Sequence, residues 1–323
     1  MLRFPVFALI VVLAACSGGS GPECRTGADC ASGTCTRDGL CAVGGAGGGS
    51  AGGAATAGGT GGGTSTAGGN GAAGGTTATA GGMGTGGGLS PTCLPNHDGT
   101  ITRMEVPLQV GLHATFKVAT GVTFSSAPVN DGGTPTWDMT KALSGDRNVL
   151  AETQPLTGKW FESEFPGATY VTQLAADDDL LGVFEVKTDG LYLRGVADPQ
   201  DSLLATRLTY TPPAKLVAFP LRAGDSWSTT CTVQGTYNGS PWIQYETYAA
   251  DADTRGVVKT PFADFDAIRV KTRLTRTVGG FPNVTRSQAF VTECFGTIAT
   301  LRSQLNETSE EFTSQAEVRR LSP

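Results

Sequence analysis

The chain carries 29 acidic and 23 basic side chains over 323 residues, a net charge of −6, and only two histidines. That acidic balance, without a basic cluster, excludes nucleic acid as a partner class. Composition divides the chain into an apolar start, a cysteine-rich stretch, a glycine-rich stretch and a longer segment of ordinary globular texture.

From Phe4 to Ala15 there is no charge, and Arg3 precedes this run. A basic start before a short apolar core is the pattern of a secretory signal. The run falls short of the roughly 20 apolar residues that a bilayer-spanning helix needs. It closes on Leu13-Ala14-Ala15-Cys16, which resembles the lipobox of bacterial lipoproteins. The resemblance implies that residues 1–15 are removed and that Cys16 becomes the acylated first residue. More than one acyl chain holds a protein stably at a membrane. Ser17 stands where the inner-membrane retention signal would place Asp, which points to the outer membrane.

Residues 16–42 hold Cys24, Cys30, Cys35 and Cys41. Export places them in an oxidising compartment, where closely spaced cysteines form disulfides. There is no C-x-x-C pair or nearby histidine to favour zinc, and the three possible pairings stay open. The run from Cys24 to Cys35 resembles short "DC-x-SG-x-C" modules of exported proteins. Two bridges would let so small a segment hold a shape without a core. In residues 43–90, 23 glycines occur among Ala, Thr and Ser, with no charged side chain between Asp38 and Asp98. Such a stretch cannot bury enough apolar surface to offset its ordering entropy, which predicts a disordered linker. Gly48-Gly49-Ser50-Ala51-Gly52 matches G-x-S-x-G there, but lacks the flanking strand and helix of a nucleophile elbow.

Residues 91–323 form the globular part, and their periodicity is that of strands. In 267–274 the even positions are apolar or Thr, while Arg269, Lys271 and Arg273 occupy odd ones. That alternation predicts one buried face and one wet face. Trp227, Thr229, Cys231 and Val233 alternate with Ser and Thr in the same way. Further strands are predicted at 157–164, 168–174, 181–187, 191–196, 203–211, 241–249, 285–295 and 298–305. Asp189-Gly190, Asn238-Gly239 and Gly279-Gly280 are the turn signals between several of them. The only candidate helix covers 302–312. The expected fold class is therefore all-β, an antiparallel half-barrel or sandwich after a disordered Gly-rich linker.

Cys231 lies on the Trp227/Val233 face, and Cys294 shares parity with Phe290 and Thr292. Both are expected to point inward and to pair, a loop closure worth about 4 kcal/mol in the chain-entropy model. Cys93 is then either free or bridged to the N-terminal module.

The run Phe219-Pro220-Leu221-Arg222-Ala223-Gly224-Asp225-Ser226-Trp227 is followed by Thr260-Pro261-Phe262-Ala263-Asp264-Phe265-Asp266-Ala267, and then by Cys294-Phe295-Gly296-Thr297. This order resembles the periplasmic half-barrel proteins related to lipoprotein carriers, although the glycine of the second motif is missing at 262–264. The resemblance implies an open, curved antiparallel sheet around an apolar concavity, often over a helix.

Candidate chemistry is sparse. His97 reads as a turn residue and His113 as a strand residue, and neither has a nucleophile placed beside it by sequence. Asn96, Asp98, Thr100 and Glu105 match positions 3, 5, 7 and 12 of a calcium-binding EF-hand loop, but Leu94 stands at position 1. A turn leading into the first strand is the simpler reading. Asp177-Asp178-Asp179, Asp251 and Asp253 read as solvated loop acids. No catalytic set and no cofactor emerge, so the chain is expected not to be an enzyme. The expected function is an outer-membrane-anchored lipoprotein whose β domain binds an apolar or lipid ligand. The alternative is a structural or surface-display lipoprotein that contacts envelope proteins or glycans, with Trp242 and Tyr248 as candidate sugar-facing aromatics.

Overall fold

The computed structural model describes residues 93–323. The lipobox, Cys16, the four cysteines of the N-terminal module and the glycine-rich stretch lie outside the described residues.

Among the described residues sixteen strands follow in chain order. They are β1 (Thr100–Ile101), β2 (His113–Thr123), β3 (Val129–Asp131), β4 (Thr134–Asp138), β5 (Arg147–Glu152), β6 (Tyr170–Ala175), β7 (Asp178–Lys187) and β8 (Gly190–Ala197). The second half holds β9 (Arg207–Ala218), β10 (Leu221–Arg222), β11 (Ser226–Tyr237), β12 (Ser240–Lys259), β13 (Asp264–Val278), β14 (Phe281–Thr292), β15 (Gly296–Ser303) and β16 (Ser314–Ser322). The only helical segments among the described residues are two short 3-10 turns, Arg103–Glu105 and Glu162–Glu164.

Twelve strands form one antiparallel path, β5-β2-β16-β15-β14-β13-β12-β11-β9-β8-β7-β6. Its two ends meet through a reciprocal backbone pair between Gln154 and Val171, at 2.8 and 2.9 Å. The fold is thus all-β and antiparallel, as the alternation predicts, and the sheet curls into a nearly closed barrel. The successive hairpins explain this arithmetic. Tight turns at Asn238-Gly239 and Gly279-Gly280, all four residues at positive φ, return the chain directly to its neighbour.

One large apolar cluster reaches both faces: on the inner face it includes Tyr170, Phe184, Leu208, Val233, Val270 and Leu274, and on the outer face Trp137, Phe290 and Val318. The segment after Cys93 closes one end. Ile101 pairs with Leu221 across β1 and β10, and Ile101, Val106 and Leu108 join the core. Glu293 holds this segment by accepting hydrogen bonds from the Asn96 and His97 amides at 2.6 and 3.1 Å. Off this twelve-strand path, β3 and β4 extend the same sheet, with β4 paired in parallel to the end of β12, and Trp137 packs edge-on against Phe290 at 5.0 Å. Part of the outer face is therefore covered as well.

Several expectations are corrected. Residues 157–164 form turns and a 3-10 segment rather than a strand, because Phe161 and Phe165 seat in a second small core with Val171 and Val183. Residues 302–312 are not helical. β15 ends at Ser303, and Asn306 at positive φ fastens the following loop to Val284. The expected Cys231–Cys294 disulfide does not form. Cys294 bonds Cys93 instead, and Cys231 is a buried free thiol. The parity argument failed because β14 ends at Thr292 and carries a register shift at Phe290/Val291. Cys294 thus sits in a turn at positive φ, facing the N-terminal segment rather than the interior.

Candidate functional site

Charged groups gather on both faces of β12, β13 and β14, and the two gatherings differ in kind. On the inner face, Cys231, Glu246 and Arg276 occupy one row across β11, β12 and β13. Glu246 is fully buried, with 0% exposure. Its Oε1 accepts hydrogen bonds from Gln244 Nε2 and Arg276 Nε, both at 2.6 Å, and its Oε2 accepts one from the Tyr248 hydroxyl at 2.6 Å. Trp242 Nε1 donates in turn to Gln244 Oε1 at 3.1 Å. Burial first, and then the Glu246 charge, push the Tyr248 and Tyr210 phenols and the Cys231 thiol upward, the thiol to about 12. Trp242 and Tyr248 therefore face the interior network and are not an exposed sugar platform. A second inner group lies on β15 and β16, where Glu317 stands 3.3 Å from Arg319 and 3.9 Å from Arg302.

On the outer face, Arg269 is 3% exposed, which corrects the expected wet stripe at that position, while Arg273 is exposed as expected. The Arg269 guanidinium lies 5.0 Å from the centre of the Trp137 ring. It bonds Asp253 at 2.9 and 2.5 Å and Glu311 at 2.9 Å. Lys271 reaches the same two carboxylates at 3.0 and 2.9 Å. Burial opposes the charge on Asp253, but the hydrogen bonds from Arg269 and Lys271 outweigh it and hold the carboxyl below the usual range. Glu311 behaves alike, with burial outweighed by Lys271, Gln288 and Ser126. Asp253 is thus a structural ion-pair partner, not a loop acid.

Beside this cluster lies an outer groove of about 430 Å³, within the roughly 300–1,000 Å³ range of small-molecule sites. Its floor is β12–β14, one wall is Gly224–Asp225 and the other includes Glu310. The Gly224–Asp225 wall is docked on β12 by Gly224 N to Ala252 O at 2.6 Å and Ala252 N to Asp225 O at 2.8 Å. Within it, Arg273 and Arg286 stand directly opposite each other across β13 and β14. The Arg286 guanidinium donates to the carbonyls of Glu307 and Thr308, at 3.2 Å each. Arg273 is exposed, and no ion pair among the described residues includes it. Sequence reasoning named Arg273 but not Arg286, although the two lie six residues either side of Gly279-Gly280 and so face each other in any two-residue hairpin.

The remaining candidates resolve as framework. Glu105 caps the Arg103–Glu105 turn by accepting from Thr102 N at 2.7 Å, and its other oxygen accepts from Asn96 Nδ2 at 2.7 Å. Asp98 Oδ1 accepts from Thr100 N at 2.7 Å. The oxygens that a calcium loop would turn toward one centre are bonded to the chain itself. Among the described residues no group of three His, Cys, Asp or Glu side chains could hold a metal. His97 lies 3.7 Å from Asp266, which is bound to Arg255, and His113 is an exposed residue at the start of β2. No family model, curated protein or solved structure matches the chain.

Proposed function

We propose that this chain is a lipid-anchored, non-enzymatic lipoprotein of the outer membrane, acylated at Cys16, whose β domain engages an envelope glycan or protein through the outer face of its sheet. The observation that carries this reading is the contrast between a filled interior and an open exterior. The inner face is lined by packed apolar side chains such as Tyr170, Phe184, Leu208, Val233 and Val270, and by the Glu246–Arg276–Tyr248–Gln244 network. An apolar ligand would have to displace both, stranding a buried charge at a cost of several kcal/mol. The outer groove, in contrast, presents polar groups around a shaped floor.

The test is photo-crosslinking in the native envelope, with a benzophenone amino acid at Asp251 in the groove and, in a second variant, at Leu150 on β5. The expected result is a discrete adduct from position 251 and none from position 150. Indistinguishable patterns from the two positions would overturn the reading.

A further inference from the structure

The groove between β11 and β14 is electrically lopsided, and its lopsidedness defines a ligand. This inference rests on the reading above. Of its charged groups, Lys271 is already committed to Asp253 and Glu311, with Glu310 at 3.8 Å. What is left is two separated pairs. Arg273 and Arg286 lie together on the β13–β14 side, while Asp225 and Asp251 lie on the β11–β12 side.

Like charges directly opposite on neighbouring strands destabilise a sheet, with Cβ atoms only about 4.5–5.5 Å apart. Arg286 is anchored by the two loop carbonyls through Nε and Nη2, which leaves Nη1 to donate elsewhere. Two arginines in register on one face of a hairpin, one of them anchored and the other free to reorient, can converge on one oxyanion, a carboxylate or a phosphate, through charge-assisted hydrogen bonds. On the other side Asp251, exposed and directly across from Lys271 in register, presents its carboxylate at the groove. Asp225, which lines the groove, has one oxygen on the Arg222 amide at 2.8 Å. These acids accept hydrogen bonds from neutral hydroxyls at the far side of the same ligand. The lining contains no aromatic or large aliphatic side chain, which removes any apolar group from the recognised part.

We infer that this groove binds an acidic sugar, its carboxylate or phosphate held between Arg273 and Arg286 and its hydroxyls donated to Asp225 and Asp251. The groove is a trough along the sheet rather than an enclosed hole, so it accepts such a residue within a polysaccharide.

The experiment measures binding of the full chain to galacturonate oligomers, to a phosphate-bearing oligosaccharide, to neutral dextran and to inorganic phosphate. The expected result is binding of at least one anionic oligosaccharide, no binding of dextran, and only weak competition by inorganic phosphate. Arg273→Ala and Arg286→Ala are each expected to weaken that binding at least tenfold. Arg147→Ala, an exposed cation on β5 outside the groove, should leave it unchanged. Arg286→Ala also loosens the 304–313 loop, so the fold-neutral test is Arg273→Ala, whose side chain forms no ion pair among the described residues. Equal affinity for dextran, full competition by phosphate alone, no binding to any anionic oligosaccharide, or an equal loss in Arg147→Ala would each overturn the assignment. A protein crosslinked at position 251 alongside absent sugar binding would refute this inference and leave the broader reading standing.

Discussion

The inner and outer faces of β12–β14 carry almost the same kinds of residue and put them to opposite uses. Inside, Glu246 meets Arg276, Gln244 and Tyr248, and both carboxylate oxygens are bonded within one closed group. Outside, Asp253 and Glu311 satisfy Arg269 and Lys271, and Arg273 and Arg286 are left facing each other. Charge buried in a barrel must be closed upon itself, because an unpaired ion there costs several kcal/mol. Charge on a solvated face can be left open for a partner. The contrast separates what holds this fold together from what it offers to others.

The contrast depends on the interior staying shut, so the strongest perturbation is at its closed end. Reducing Cys93–Cys294, a bond spanning 201 residues of sequence, is expected to lower stability by about 5 kcal/mol in the chain-entropy model. Denaturant unfolding with and without reductant reads this directly, and equal midpoints would deny the bond a structural role. Next comes the inner pair. Glu246→Gln strands the Arg276 charge and is expected to cost about 3–5 kcal/mol. The double variant Glu246→Leu/Arg276→Met should lose less than the sum of its parts, since no charge remains unpaired. Additive losses would show that the two residues do not act as a unit.

The outer cluster predicts a pH dependence. Asp253 and Glu311 titrate lower in the folded chain than in the unfolded one, so the unfolded state takes up protons first as pH falls. Their contribution is complete above the unfolded carboxyl range, about pH 4, and is lost as pH falls through the folded values. Thermal unfolding should show a stability drop below about pH 4 that Asp253→Asn flattens; an unchanged acid limb would contradict the pairing. The smallest effects mark the two faces most cleanly. Cys231, with its thiol pushed up to about 12 by burial and by Glu246, should resist iodoacetamide at pH 8 until the chain unfolds. Arg273→Ala should change stability by no more than about 0.5 kcal/mol, and in the stabilising direction, because it relieves a like-charge opposition.

Much of this was readable from the chain. The two-residue period of 267–274 gave β13 and put its even positions inside, and the Gly-containing turns gave the antiparallel order. Arg269 was misread because its cover comes from far away: Trp137 and the 304–313 loop fold over it, and nothing local in β13 signals that. The same holds for Trp242 and Tyr248, expected as sugar-facing aromatics, whose Nε1 and hydroxyl are instead taken up by Gln244 and Glu246. Cys294 was misassigned by carrying strand parity past the end of β14. The arginine pair was within reach, since hairpin register about Gly279-Gly280 brings Arg273 opposite Arg286; the walls of the groove come from distant loops and were not.

The central claim is that the barrel interior is full and that recognition happens outside. Native mass spectrometry of the full chain, taken gently from the envelope of an expressing bacterium, tests it most directly. The account predicts a mass equal to the polypeptide with its covalent modifications and no further lipid-range adduct. A non-covalent adduct in that range, retained through detergent exchange and lost on organic extraction, would contradict it.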